Sequence, residues 1–149
     1  MTRPSDVKPR EGELPAALYN DWVVGQEFEA LPFTITQDIV QEYISVVSAD
    51  ADNYIVEGRQ AAPPNVVLVY MMAVMYRKYP PQQGGIMIGN TIEFHHPIWA
   101  DVETSVVGTG RVTDKYERKG LKYIKYDVEF KTPDGVLLVS VNHTSAFPN

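Results

Sequence analysis

The sequence predicts an α+β domain in which a curved antiparallel sheet wraps a buried apolar helix. Two observations carry that expectation. The stretch from Pro64 to Tyr79 holds Val66, Val67, Leu68, Val69, Tyr70, Met71, Met72, Ala73, Val74 and Met75, with no polar face until Arg77 and Lys78. A helix apolar all round is expected to be buried all round. Four long segments with strand character follow it, and no stretch after Tyr79 has helical spacing. An antiparallel barrel leaves the helix unexplained, and a ferredoxin-like layout would put a second helix among the strands.

The elements follow in order. Residues 1–21 are expected to be a tail, polar from Met1 to Glu13 with Pro4 and Pro9, and 22–149 a single domain. Trp22 to Phe33 alternates loosely and predicts a first strand or arm, with Val24, Phe28 and Ala30 pointing inward. Thr36 is a candidate N-cap, since its hydroxyl can accept a bond from a first-turn N–H. Ile39, Val40, Tyr43, Ile44 and Val47 then recur at helical spacing, which predicts a helix ending near Asp50. Residues 49–65 mix Asp, Asn, Gly and Pro and predict a loop, the kind of segment in which function concentrates.

Beyond the apolar helix, Ile86, Ile88, Ile92 and Phe94 alternate with Met87, Gly89, Thr91 and Glu93, and Ile124, Tyr126, Val128 and Phe130 with Tyr123, Lys125, Asp127 and Glu129. Val102 to Val112 and Val136 to Ala146 supply two more strands, and Thr132-Pro133-Asp134-Gly135 has the chemistry of a tight turn. Aliphatic residues on one face and charges on the other suit a sheet with one wet side. The helix can fill the dry side.

Composition narrows the function. The chain has 149 residues, about one domain, with a net charge of −6 and a pI near 5.0, which opposes general nucleic-acid binding. No apolar run approaches the roughly 20 residues of a membrane span, and the N-terminus lacks the apolar stretch of a secretory signal. With no cysteine there is no disulfide, thiolate nucleophile or cysteine metal site, which favours a cytoplasmic setting. No Gly-x-Ser-x-Gly elbow is present, and Gly108-Thr-Gly110 opens no helix, so it is not a phosphate loop.

The run Tyr43-Ile-Ser-Val-Val-Ser-Ala-Asp50-Ala-Asp52-Asn53, then Ala62-Pro63-Pro64 opening the apolar helix, resembles MaoC-like (R)-specific enoyl thioester hydratases and dehydratases. Glu93-Phe94-His95-His96-Pro97-Ile98, the Lys115 to Gly120 hairpin and Pro133-Asp134-Gly135 resemble the second half of the same family, so the likeness spans about residues 22–147. It implies the hot-dog fold, an acyl thioester of coenzyme A or acyl carrier protein as substrate, no cofactor or metal, and a dimer of two hot-dog subunits, alike or different.

The family adds or removes water beside the thioester, which needs groups to move two protons and N–H donors for the enolate oxygen. Its active members carry Gly-Asp-x-Asn-Pro-x-His on the loop after the first helix. Here the carboxylate is Asp50, while Ile55 stands at the histidine position. The oxyanion-hole N–H at the helix start falls at Pro63 and Pro64, and proline has none to give. These departures resemble the accessory subunits of heterodimeric dehydratases, whose partner holds the Asp and His.

By this resemblance Asp52, Asn53, Pro63, Pro64 and Asn65 border the substrate, and Asp50 with His96 is the pair through which an active hydratase would have to be rearranged. Asp50 and Asp52 read in the first place as solvated loop residues, and in the second as an acid or base with a hydrogen-bonding neighbour. His95 and His96 are adjacent and should face opposite ways, and His143 is expected to be a paired or exposed sheet residue. Met71, Met72 and Met75 suit either core packing or an adaptable acyl tunnel. Arg111, Lys115, Arg118, Lys119, Lys122 and Lys125 put 6 of the 13 basic residues in one hairpin, either a solvated tip or a patch for coenzyme A phosphates or an acidic carrier protein. Hydrolysis by a thioesterase and sensing by a non-catalytic acyl-binding module are the remaining alternatives.

Overall fold

The computed structural model describes residues 16–80 and 85–147. In chain order they form β1 (Leu31–Ile35), α1 (Gln37–Val46), a small hairpin of β2 (Ile55–Val56) and β3 (Arg59–Gln60), α2 (Met71–Tyr76), β4 (Ile86–Phe94), β5 (Thr104–Arg118), β6 (Leu121–Lys131) and β7 (Leu137–Phe147). The five longer strands make one antiparallel sheet in the order β1-β5-β6-β7-β4.

Packing begins ahead of Trp22. Ala17 is buried, and Tyr19–Asp21 forms a 3-10 turn that sets Tyr19 against the core. The arm then hydrogen-bonds to β5, Gly25 N–H to Val112 O at 2.8 Å and Phe28 N–H to Gly110 O at 2.8 Å. Of the inward positions expected there, only Phe28 is buried; Val24 and Ala30 are exposed, and the regular alternation starts with Leu31, Phe33 and Ile35.

Helix α1 starts after Thr36 as expected, but the Thr36 hydroxyl bonds the Asp38 carboxylate and caps no backbone N–H. It buries Ile39, Val40 and Ile44, whereas Val47 is exposed. It stops at Val46, short of Asp50. Ser48 takes a left-handed φ of 52°, and this turns the chain so that Ala49 N–H reaches Ile44 O at 3.0 Å and Ser48 N–H reaches Ser45 O at 3.2 Å. That is a Schellman stop made without glycine.

The apolar helix is double. Pro64–Tyr70 is 3-10 and continues as α2. Valines 66, 67 and 69 are β-branched and weak α-helix formers, consistent with the tighter first half. Val66, Val67, Tyr70, Met71, Val74 and Met75 are buried against the sheet, and Phe33 stacks on Tyr70 at 3.8 Å. Burial is not complete all round: Val69 is 47% exposed and Leu68 and Met72 are half-buried in the single chain.

The two glycines of Gly108-Thr-Gly110 lie inside β5, and both are places of close approach. A Cβ on Gly108 would come within 2.7 Å of Val74 on α2, and one on Gly110 within 2.5 Å of the Asp127 carbonyl and 2.8 Å of Phe28. Small residues let the helix and arm lie directly on the sheet.

The strand phases hold for β6, whose Ile124, Tyr126, Val128 and Phe130 are all buried. They fail in β4, where a bulge between Met87 and Gly89 inserts one residue. Met87 therefore sits opposite Ser145 and Asn90 opposite His143, while Ile86 and Ile88 lie exposed at the sheet edge. The β6–β7 turn has the expected chemistry, with Gly135 at φ 93° and its N–H bonded to Thr132 O at 2.9 Å.

Candidate functional site

The loop after α1 is organised by a carboxylate. Asp50 is the N-cap of the 3-10 turn Ala51–Tyr54, its Oδ1 accepting the Asp52 N–H at 3.1 Å. Asp50, Asp52 and Asn53 are exposed. The β2–β3 hairpin returns the chain to this turn, and Gln60 Nε2 donates to the carbonyls of Ala51 at 3.2 Å and Ala61 at 3.0 Å.

The same strap reaches the segment beyond His96. Ala62 N–H donates to Ile98 O at 2.7 Å, and Ala100 N–H to Gln60 O at 3.0 Å. Arg59 pairs with Asp101 at 2.8 Å and lies over Trp99 at 4.2 Å. Pro63 is the buried N-cap of the central helix, Pro64 opens it, and Asn65 is exposed. Because Pro64 has no N–H, Asn65 supplies the first backbone donor of that turn. Acidic loop, helix head and the chain after His96 are thus tied together.

The two adjacent histidines contact different residues of β7. His96 Nδ1–H donates to Leu137 O at 2.8 Å, and His95 Nε2 is 2.9 Å from Ser140 Oγ. Both are exposed. Among the described residues no hydrogen bond or ion pair joins Asp50 to His96. The basic hairpin is partly engaged: Lys115 Nζ donates to Trp22 O at 2.9 Å and lies over Tyr19 at 4.4 Å, and Lys125 lies over Tyr116 at 5.8 Å. Arg118 and Lys119 at its tip are exposed.

A groove of 690 Å³ runs over the wet side of the sheet, where Glu27, Arg111, Asp127 and Glu129 alternate with the buried Val112, Val128 and Phe130. A second cavity, of 320 Å³, lies between the central helix and the dry face of β6, β7 and β4. Met72, Met75, Met87, Tyr126 and Phe147 give it an apolar wall, and that volume falls within the range of small-molecule sites. The half-buried Met72 and the Met75 named from the sequence thus face a cavity as well as the core.

His143 lines this cavity. The residue is paired, as expected, and only 1% exposed. Asn90 Nδ2 faces the Met87 sulfur at 3.5 Å, which turns Oδ1 toward His143 Nδ1 at 2.6 Å. His143 therefore donates from Nδ1, and its Nε2 accepts the Ser145 hydroxyl at 2.5 Å. Burial lowers its pKa from 6.5 to about 4, so the ring is neutral at pH 7. Burial likewise raises the pKa of Tyr126, whose ring stacks on His143 at 4.5 Å and whose hydroxyl, among the described residues, bonds the Met72 sulfur at 3.6 Å. The signal for His143 was its phase: it shares the inward parity of Val139 and Val141. Asn90 shares the phase of Ile92 and Phe94, whereas Met87 had no signal, because the bulge that sets it opposite Ser145 is invisible in the pattern.

No family model and no curated protein matches the sequence. Solved structures do match in fold. The R-hydratase PhaJ1 from Pseudomonas aeruginosa superposes with a TM-score of 0.64 at 18% identity, over 88% of this chain and 85% of that one. The HadBC (3R-hydroxyacyl-ACP dehydratase) complex from Mycobacterium tuberculosis gives 0.70 at 15% identity, over 84% and 97%. A MaoC-like dehydratase from Rhodospirillum rubrum gives 0.69 at 13% identity, over 87% and 95%. The chain therefore has the hot-dog fold that MaoC-like dehydratases and R-hydratases share.

Proposed function

We propose that this chain is the acyl thioester-binding, accessory subunit of a hot-dog (R)-3-hydroxyacyl thioester dehydratase or enoyl hydratase, with its catalytic pair supplied by another chain. One observation carries the reading: the loop where the resemblance puts an Asp and a His holds Asp50 as the cap of a turn, and Ile55 in place of the imidazole. A carboxylate that accepts a backbone N–H in its own loop, with no imidazole beside it, lacks the second group that proton transfer at two positions requires.

The 320 Å³ methionine-walled cavity supports acyl binding. The fold match to HadBC, itself a complex, supports a second hot-dog subunit as partner. So does the sheet edge: β4 is terminal, and Ile86, Met87, Ile88 and Phe94 are 61%, 63%, 54% and 48% exposed. An unpaired apolar edge strand is a template for another chain. Arg118 and Lys119 at the hairpin tip are the donors for a coenzyme A phosphate or an acidic carrier protein. A cytoplasmic site of action suits a chain without cysteine.

The test is turnover of an enoyl thioester by the reconstituted pair. With Asp50→Asn and His96→Ala together in this subunit, kcat is expected to stay within about threefold of the unmodified pair. A fall of a hundredfold or more, the scale of a lost acid or base, would instead make Asp50 and His96 the working groups of an active hydratase.

A further inference from the structure

The β5–β6 hairpin ends in a charged finger. Lys119 and Gly120 take left-handed φ values of 53° and 75°, a two-residue turn that fits the twist of its strands, and Arg118 pairs with Leu121 across it. From residue 114 to 125 the basic groups are Lys115, Arg118, Lys119, Lys122 and Lys125 and the acidic ones Asp114 and Glu117, a net of +3 in a chain whose total is −6. Among the described residues none of the five cations forms an ion pair with a carboxylate. Charge is thus segregated, since the wet face farther from the tip carries Glu27, Glu93, Asp127 and Glu129.

The surround of these cations is apolar. Tyr19 lies under Lys115 at 4.4 Å and Lys122 at 5.6 Å, which brings the N-terminal arm alongside the hairpin. There Leu18 is 63% exposed, Val23 and Val24 are exposed as well, and Leu121 at the tip is 41% exposed. Tyr116 and Tyr123 stack at 4.9 Å, with Lys125 over Tyr116. Exposed apolar residues rimmed by charge mark an interaction surface. Tyrosines, leucines and long cationic side chains together suit a bilayer interface, where the rings and stems lie against hydrocarbon and the charges reach the headgroups.

We infer that this end of the molecule docks on an anionic lipid bilayer, with Arg118, Lys119 and Lys122 on the headgroup phosphates and Leu18 and Leu121 entering the acyl boundary. A coenzyme A phosphate offers Arg118 and Lys119 the same chemistry, but it gives the leucines nothing to bury against. The attachment is peripheral, because no helix among the described residues is long and apolar enough to cross a membrane. The inference goes beyond acyl binding and does not depend on it.

The full chain is sedimented with vesicles of phosphatidylcholine alone and of phosphatidylcholine mixed equally with phosphatidylglycerol. It is expected to partition to the mixed vesicles at least about tenfold more strongly, since each basic residue near an anionic surface contributes about fivefold, and to be released as salt is raised. Arg118→Glu with Lys119→Glu should lower that partitioning at least about tenfold, whereas Lys131→Glu, at the other end of β6, should not. Leu18→Ser with Leu121→Ser keeps the charge and should still weaken binding at least about fivefold. No binding by the unmodified chain, equal binding to both kinds of vesicle, or binding indifferent to the charge reversal overturns the inference. Binding unchanged in the double serine variant overturns the entry of the leucines. If coenzyme A or an acidic carrier protein binds the hairpin, is lost on charge reversal, and vesicles do not bind, the surface belongs to that soluble partner and the inference fails.

Discussion

His143 and Ser48 are two residues whose environment departs from what their type prefers. Burial holds His143 neutral, with a pKa near 4 against 6.5 in the unfolded chain. Between those values the unfolded chain takes up a proton that the folded chain refuses, so stability is full above pH 6.5 and falls as the pH drops toward 4. Urea denaturation at pH 7 and pH 4.5 should find a loss of up to about 3 kcal/mol from this residue, absent in His143→Gln if that variant folds. Ser48 holds φ 52° at the end of α1, a conformation that suits glycine. Ser48→Gly is expected to stabilise the chain by about 0.5 kcal/mol, read as a higher urea midpoint at unchanged slope. Neither feature was fully legible. A serine does not announce a helix stop, so the helix was expected to run to Asp50, and His143 was expected only to be paired or exposed.

Among elements, those whose burial repeats at the backbone period were legible, and those set by a local insertion were not. The central helix, β6 and the turn at Gly135 follow from spacing and turn chemistry alone. The phase of β4 does not, because the bulge near Ile88 shifts the residues before it relative to those after it and leaves no mark in the alternation. The same bulge brings Met87 to the cavity and leaves Ile86 and Ile88 exposed at the edge. If that edge pairs with another subunit, Ile86→Lys with Ile88→Glu should leave the far-ultraviolet circular dichroism unchanged. The sedimentation mass should fall from a dimer to the 16.8 kDa of one chain. An unchanged dimer mass in the double variant would place the interface elsewhere.

For the whole molecule, the order of elements identified the architecture, while the candidate site divided in two. The acidic loop, the double proline and His96 come from segments that Gln60 and the 60–62 strap tie together, and their contributors could be named from motif spacing. The cavity could not, since its wall is assembled from Trp22, the central helix and three strands that only the folded chain brings together. The fold carries an apolar cavity in one place and, in another, a loop where Ile55 stands in place of an imidazole, the two features on which the proposal of a binding subunit rests. The most direct measurement is hydration of an enoyl-coenzyme A by this chain purified alone. The account predicts turnover far below about 1 per second, rising to the enzyme range only when a hot-dog partner carrying the Asp and His is added. Turnover of about 1 per second or more by the isolated chain, lost in Asp50→Asn, would contradict it.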